Sequence, residues 1–316
     1  MTGLRAGVVG VGYLGEFHAR KYAMHPDIEL AGIFDLDQAR ATQVADSAGC
    51  RNFSSLDTLL GAVDLVSIAV PTPSHYPVAR DCLMAGRHVL LEKPITQTVA
   101  EAEELIRLAA SRDLVFQVGH LERFNPAVLA LRGILTKPLF IESHRLTAFR
   151  SRGTDINVVL DLMIHDIDII LSLVSVPLQL INSVGVPVLS DEVDIANARL
   201  QFENGCVANV TASRVSREAV RKIRIFQDDA YISIDYQERK ITILRKGGDG
   251  LPVPGLPRIT LTEKSFAEGD SLQAEINSFV NAVRTGSPPV VSGEDGKRAL
   301  KVALEINRKL WHEISA

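Results

Sequence analysis

The sequence predicts a two-lobed α/β fold: a doubly wound parallel sheet, then an α+β lobe carrying an open, largely antiparallel sheet. Three observations lead there. The chain has 316 residues, the size at which one hydrophobic core gives way to two. Its first third alternates short apolar runs with helical patterns, as parallel strands joined by right-handed crossovers do. Beyond about residue 122 the alternation stops, and one helical segment is followed by β-rich runs of two-residue period. The expected division is residues 1–122 and 123–316.

Leu4 to Val9 opens the parallel sheet, and Ile28 to Phe34, Leu65 to Val70, His88 to Leu91 and Val115 to Val118 supply further strands. Helices fall between them: Leu14 to Met24, stopped by Pro26; Gln38 to Ala48, followed by Gly49; Ser74 to Ala85, followed by Gly86; and Val99 to Arg112. Glycine just past a helix accepts the left-handed backbone that closes it, and proline cannot continue one. In the second lobe Val158 to Leu173 is the helix. Asn204-Gly205 marks a hairpin between runs ending at Phe202 and starting at Cys206, because both residues tolerate positive φ. Ile223 to Phe226, Ala230 to Ile234 and Ile241 to Leu244 extend the meander, and Lys246 to Pro257, dense in Gly and Pro, reads as a surface loop. Two helical patterns, Leu272 to Arg284 and Glu294 to Ile314, close the chain.

Composition narrows the function classes. With 46% hydrophobic and 23% charged residues the chain has no signature of disorder. A formal net charge of −4 offers no positive field for phosphate backbones, so nucleic acid is not an expected partner. Val158 to Val176 is interrupted by Asp161, His165, Asp166 and Asp168, too many polar groups for a membrane span. Cys50, Cys82 and Cys206 are odd in number and widely separated, so they read as buried thiols in a reducing cytoplasm rather than disulfides or metal ligands. The strand-like run starting at Leu4 leaves no room for a secretion signal, and no metal site is expected.

Gly10-Val11-Gly12-Tyr13-Leu14-Gly15 follows an apolar strand and opens a helix. In that context Gly10 permits a tight turn, Gly12 lets backbone amides approach a pyrophosphate, and Gly15 lets helix pack on strand, the Rossmann fingerprint. The helix start, with Tyr13 and Leu14, offers amides and partial positive charge to phosphates. Asp35 closes the second strand, where a carboxylate accepts hydrogen bonds from ribose hydroxyls and repels a 2′-phosphate; this favours NAD. The alternative is that Asp35 caps the next helix, as Asp37 also could. No basic residue follows immediately, although Arg40 is within reach on the helix.

Glu92-Lys93-Pro94 ends the strand begun at His88, at the sheet edge where ligands bind. Together with the glycines, the loop Pro71-Thr72-Pro73-Ser74-His75 and the later Asp161 and His165, the chain resembles the glucose-fructose oxidoreductase, inositol dehydrogenase and MocA family over nearly its whole length. The resemblance implies cofactor contacts from Pro71, Thr72, His75, Glu92 and Lys93, catalysis by Lys93, His165 and Asp161, and a second-lobe sheet used to form a homodimer or homotetramer. Asp161 and His165, four apart on one helix, can serve one substrate. A histidine suits receipt of a hydroxyl proton while hydride leaves the same carbon, and a lysine suits stabilisation of the alkoxide or a place in the proton relay.

Gly119-His120-Leu121-Glu122-Arg123-Phe124-Asn125-Pro126 resembles the branch that includes UDP-N-acetylglucosamine 3-dehydrogenases. Arg123 suits a phosphate or carboxylate and Asn125 a hydroxyl, as substrate contacts. Equally, Arg123 and Glu122 would form a hinge ion pair and Asn125 would cap the helix starting at Pro126. The spacer Leu162-Met163-Ile164 is bulkier than that family helix often carries, which bears on the shape of a sugar pocket. The expectation is an NAD-dependent dehydrogenase of a sugar ring hydroxyl, with UDP-N-acetylglucosamine at its 3-hydroxyl favoured. Inositol, free-sugar and UDP-sugar-acid dehydrogenases, an NAD-dependent glycosidase and a non-enzymatic NAD sensor or scaffold are the alternatives.

Overall fold

The computed structural model describes residues 3–149, 157–251, 258–266 and 269–314. By packing, Met1–Leu121 with Asp270–Leu300 form one compact unit and Glu122–Gly269 with Lys301–Ala316 the other. The break after Leu121 falls beside the expected boundary. The return of 270–300 to the first unit differs from the contiguous division.

The first unit runs β1 (Leu4–Val9), α1 (Tyr13–Ala23), β2 (Ile28–Phe34), α2 (Gln38–Ala48), β3 (Arg51–Asn52), α3 (Leu56–Leu60), β4 (Leu65–Ile68), α4 (His75–Met84), β5 (His88–Glu92), α5 (Val99–Ala110) and β6 (Phe116–Gly119). All six strands pair in parallel, in the order β3-β2-β1-β4-β5-β6. The order reverses beside β1, which makes its carboxyl end the switch point where ligands bind in such sheets. Local chemistry sets the helix ends. Asp37 caps α2 by accepting from the Arg40 amide, and Gly49 ends it at φ +66°. Thr98 and Glu101 form a capping box on α5.

The second unit contains α6 (Pro126–Leu129), β7 (Phe140–Leu146), α7 (Ile164–Leu173), β8 (Leu178–Val186), β9 (Ile195–Phe202), β10 (Val207–Ser213), β11 (Val220–Gln227), β12 (Ala230–Asp235), β13 (Lys240–Leu251) and β14 (Ile259–Ser265). They form one eight-stranded sheet, β14-β13-β12-β11-β7-β10-β9-β8, antiparallel apart from the parallel β7–β10 pair. The Asn204-Gly205 turn joins β9 and β10 as expected, with Gly205 at φ +83°. Alternate residues of the central strands, among them Ile141, Ala198, Val210, Ile225 and Ile232, are buried. On the edge strand β8 the outward residues Leu180, Val184 and Val186 are exposed.

Two further helices, α8 (Ser271–Thr285) and α9 (Gly293–Ile314), follow. Ile276, Phe279, Val280 and Ala282 of α8 join Ala6, Val8, Tyr22 and Leu90 in one buried cluster, which explains the chain's return to the first unit. Burial of each large apolar side chain contributes roughly 1.5–3 kcal/mol. The surface loop expected from Lys246 is corrected in part: Lys246 to Leu251 continues β13, its pairing with β14 interrupted by an irregularity near Gly247 at φ +94°. Residues 252–257 of that stretch lie outside those described. Cys82 and Cys206 are buried and Cys50 half-buried; burial pushes the three thiols up to about 12, 11 and 11 respectively. Among the described residues no helix is long and apolar enough to cross a membrane.

Candidate active site

The glycine turn sits at the carboxyl end of β1, and each glycine has its own geometry. Gly10 takes φ +81°, its amide donates to the Phe34 carbonyl at 2.8 Å, and a Cβ there would lie 2.7 Å from the Val70 side chain. A Cβ on Gly15 would lie 1.8 Å from the Gly10 carbonyl oxygen, so α1 packs on the turn as closely as backbone allows. At Gly12, by contrast, a Cβ would meet nothing within 4 Å. Gly12 precedes the first turn of α1, where no side chain caps the helix. That open approach to the helix start fits a pyrophosphate. Tyr13 and Leu14 are both well exposed at the same helix start, and the Tyr13 ring packs edge-on against Phe17.

Asp35 is not the cap of α2; Asp37 is. Instead Asp35 ties the glycine turn to β2, accepting from the Val11 amide at 2.6 Å and from the Asp37 amide at 2.9 Å. Arg40 does reach the turn, but its Nε donates to the Val11 carbonyl and its guanidinium pairs with Glu16 at 3.5 Å. Its charge is thus met by a carboxylate already. The residues expected at the β4 and β5 ends divide. Pro71 is exposed and Thr72 half-buried at a short 3-10 turn. His75 is buried, its ring nitrogens 2.7 Å from the Pro94 carbonyl and 2.9 Å from the Val70 carbonyl, so it joins the two loops rather than facing outward. Burial lowers its pKa. Glu92 also turns inward, 3.0 Å from His18 Nε2 and against Gly119, whereas Lys93 is half-buried at the strand end.

In the second unit Asp161 and His165 are both half-buried and lie on one continuous helical segment. Its first part, Val159–Met163, is a π-helix in which the Ile164 amide reaches back to the Val159 carbonyl. Such wide turns occur frequently at functional sites. Asn157 starts the segment, accepting from the amides of Val159 and Leu160. The buried acids of α7 anchor it. Arg145 binds Asp166 at 2.6 Å and Glu122 at 3.1 Å, Ser143 donates to Asp166 at 2.7 Å, and Arg123 grips Asp168 at 2.8 and 3.2 Å. Arg123, anticipated to pair with Glu122, pairs with Asp168, and Glu122 pairs with Arg145. Asn125 caps α6, accepting from the Ala127 amide, and is 5% exposed, which leaves it little surface for a substrate. These contacts fix how α7 presents His165.

The sequence alone did not single out Arg145, Asp166 and Asp168, nor His18 and Glu275 in the first unit. Glu275 carried a readable signal, since it lies on the apolar stripe Leu272, Ile276, Phe279 and Val283 of α8.

Residues 4–120 match the oxidoreductase family described as GFO/IDH/MocA with an NAD-binding Rossmann fold, and 132–233 match the C-terminal domain of the same family. Over 307 residues, 97% of both chains, the sequence is 42% identical to a UDP-N-acetylglucosamine 3-dehydrogenase of Acidithiobacillus ferrooxidans. The chain belongs to the GFO/IDH/MocA family. A solved structure of the UDP-N-acetylglucosamine 3-dehydrogenase from Acidithiobacillus ferrooxidans superposes with a TM-score of 0.93 at 41% identity, covering 98% of both chains. A myo-inositol 2-dehydrogenase of Thermotoga maritima is 26% identical over 97% of this chain and 96% of its own. As a GFO/IDH/MocA member the protein is an NAD-binding oxidoreductase, and the open approach at Gly12 is where its first unit suits that cofactor.

Proposed function

We propose that this oxidoreductase oxidises a ring hydroxyl of a nucleotide sugar, with the 3-hydroxyl of UDP-N-acetylglucosamine as the favoured position. The observation that carries the substrate class is 42% identity, over 97% of both chains, to a relative named for that reaction. NAD, when bound, supplies the hydride acceptor. Gly10, Gly12, Gly15 and the amides at the start of α1 would hold its pyrophosphate, and Asp35 its ribose. In this reading His165 accepts the hydroxyl proton, Lys93 stabilises the developing alkoxide, and Asp161 orients the substrate or the histidine. Arg123 serves the reaction through α7, by way of Asp168.

The test is a screen of the purified protein with NAD against nucleotide sugars, inositols and free sugars, followed by nicotinamide reduction. A winner among inositols or free sugars would overturn the substrate class. Single-turnover rates of His165→Ala should fall about 10²- to 10⁴-fold with NAD binding intact, and Lys93→Ala should be at least as damaging. Near wild-type rates for both would refute the residue roles.

The protein is proposed to work in the cytoplasm, consistent with three free thiols. It is also proposed to form a homodimer or homotetramer that covers the exposed Leu180, Val184 and Val186 of the second-unit sheet. Light scattering that gave a monomer at working concentration would count against the assembly.

A further inference from the structure

Behind the Glu92-Lys93-Pro94 strand end lies a polar cluster of Glu92, His18 and Glu275, in which neither the family match nor the proposed reaction gives His18 or Glu275 a role. Glu275 of α8 is 0% exposed, and among the described residues neither of its carboxyl oxygens has a hydrogen-bond partner. One carboxyl oxygen of Glu275, one of Glu92 and one ring nitrogen of His18 lie within 4.8 Å of one another. The groups placed around Glu275 come from three elements: His18 and Tyr22 of α1, Glu92 of β5 and the uncharged Gln117 of β6. Tyr22 spends its hydroxyl on Ser67 at 2.8 Å, and Gln117 donates to the Glu275 backbone carbonyl rather than its side chain.

Two carboxylates this close and this deep cannot both stay ionised, since each desolvated charge needs a partner. Glu92 has partners: His18 at 3.0 Å, the Lys93 amide at 3.3 Å and the Lys93 charge nearby. Glu275 has none of these. We infer that Glu275 carries a proton at neutral pH and so keeps Glu92 an anion between His18 and Lys93, making Glu275 and His18 positioning residues for Lys93. The part concerning Lys93 rests on the proposed function; the proton on Glu275 does not. The electrostatics run the same way. Burial and the neighbouring Glu92 charge push Glu275 well above its ordinary range. Burial opposes ionisation of Glu92 too, but His18 and Lys93 outweigh it and hold that carboxyl low.

Infrared spectroscopy of the full-length protein at neutral pH should show the carbonyl band of a protonated, buried carboxylic acid. That band should vanish in Glu275→Gln, which keeps the shape of the neutral acid. Persistence in Glu275→Gln, or absence from the wild type, would overturn the inference. A group whose folded pKa is raised loses its stabilising protonation as pH climbs, so the linkage gives a second readout. From its ordinary value of 4.5 upward, the wild-type folding constant relative to Glu275→Gln should fall by up to about tenfold per pH unit. Parallel pH profiles would overturn the assignment, as would a stoichiometric divalent cation bound by purified wild type and lost in Glu275→Gln. The Lys93 part is read from Glu92→Gln. Removing the anion should move the alkaline limb of the hydride-transfer profile to lower pH. If the limb stays put while the infrared and folding results hold, the catalytic role of Lys93 fails and the proton on Glu275 stands.

Discussion

Gly12 and Gly15 sit three residues apart in one motif, yet alanine at the two positions should do opposite things. At Gly15 the added methyl would lie 1.8 Å from the Gly10 carbonyl oxygen, where ordinary contact begins near 3.4 Å. The obstacle is backbone, so α1 must move off the turn. Overpacking of this kind costs about 1–3 kcal/mol or more, set against roughly 1 kcal/mol gained by replacing glycine inside a helix. A net loss near 2 kcal/mol is expected, together with weaker NAD binding. At Gly12 a methyl meets nothing within 4 Å and φ is −59°. Alanine there should leave stability unchanged or raise it by about 0.4–1 kcal/mol through the unfolded chain. It should still weaken NAD binding by about tenfold or more, because the methyl would stand where the pyrophosphate is proposed to approach. Urea unfolding and an NAD titration measure both quantities on each variant. A Gly12→Ala protein that binds NAD like wild type, or a Gly15→Ala protein of undiminished stability, would refute the division of roles.

Asp35→Ser should reduce the preference for NAD over NADP at least about tenfold, since the proposed ribose contacts and the repulsion of a 2′-phosphate would go together; competing titrations of the two cofactors measure it, and a wild type that prefers NADP would sink the idea. Because Asp35 also accepts from the Val11 amide, NAD affinity itself should fall in the same variant. Asp166→Asn should destabilise the fold by about 1.5–3 kcal/mol, because it leaves the buried Arg145 charge with Glu122 as its carboxylate partner. Urea unfolding of that variant would contradict this if the loss stayed below about 1 kcal/mol.

What was legible in the sequence was what local chemistry decides. Gln38–Ala48 was readable to the residue because Asp37 and Gly49 mark its ends, and the hairpin at Asn204-Gly205 because two residues dictate the turn. The tight glycine turn was legible for the same reason, whereas the tie from Asp35 to the Val11 amide was not. What stayed hidden depended on distant partners. The return of α8 follows from apolar residues of β1, α1 and β5, and the parallel insertion of β7 beside β10 joins segments more than sixty residues apart. The run Lys246–Leu251 extends β13 despite its glycines, with Lys246 and Leu251 both opposite Ile259 of β14. At the candidate site the spacing of Asp161 and His165 suggested one helical face but not the π-turn between them, which no local residue preference encodes. Arg123 reads equally well as a substrate ligand or an ion-pair former, and its observed partner Asp168 lies too far along the chain for local sequence to name it.

The three thiols have a practical consequence for studying motion in this protein. Alkylating reagents attack the thiolate, and a thiol raised to about 11 is ionised at pH 7 in only about one molecule in 10⁴. Cys82, at about 12, is still less reactive and is buried as well. A cysteine introduced at an exposed position, such as Leu36 beside Asp35, would therefore take a fluorophore or spin label selectively in the otherwise native chain. Cofactor binding can then be followed from a single site without first stripping the native cysteines from the interior.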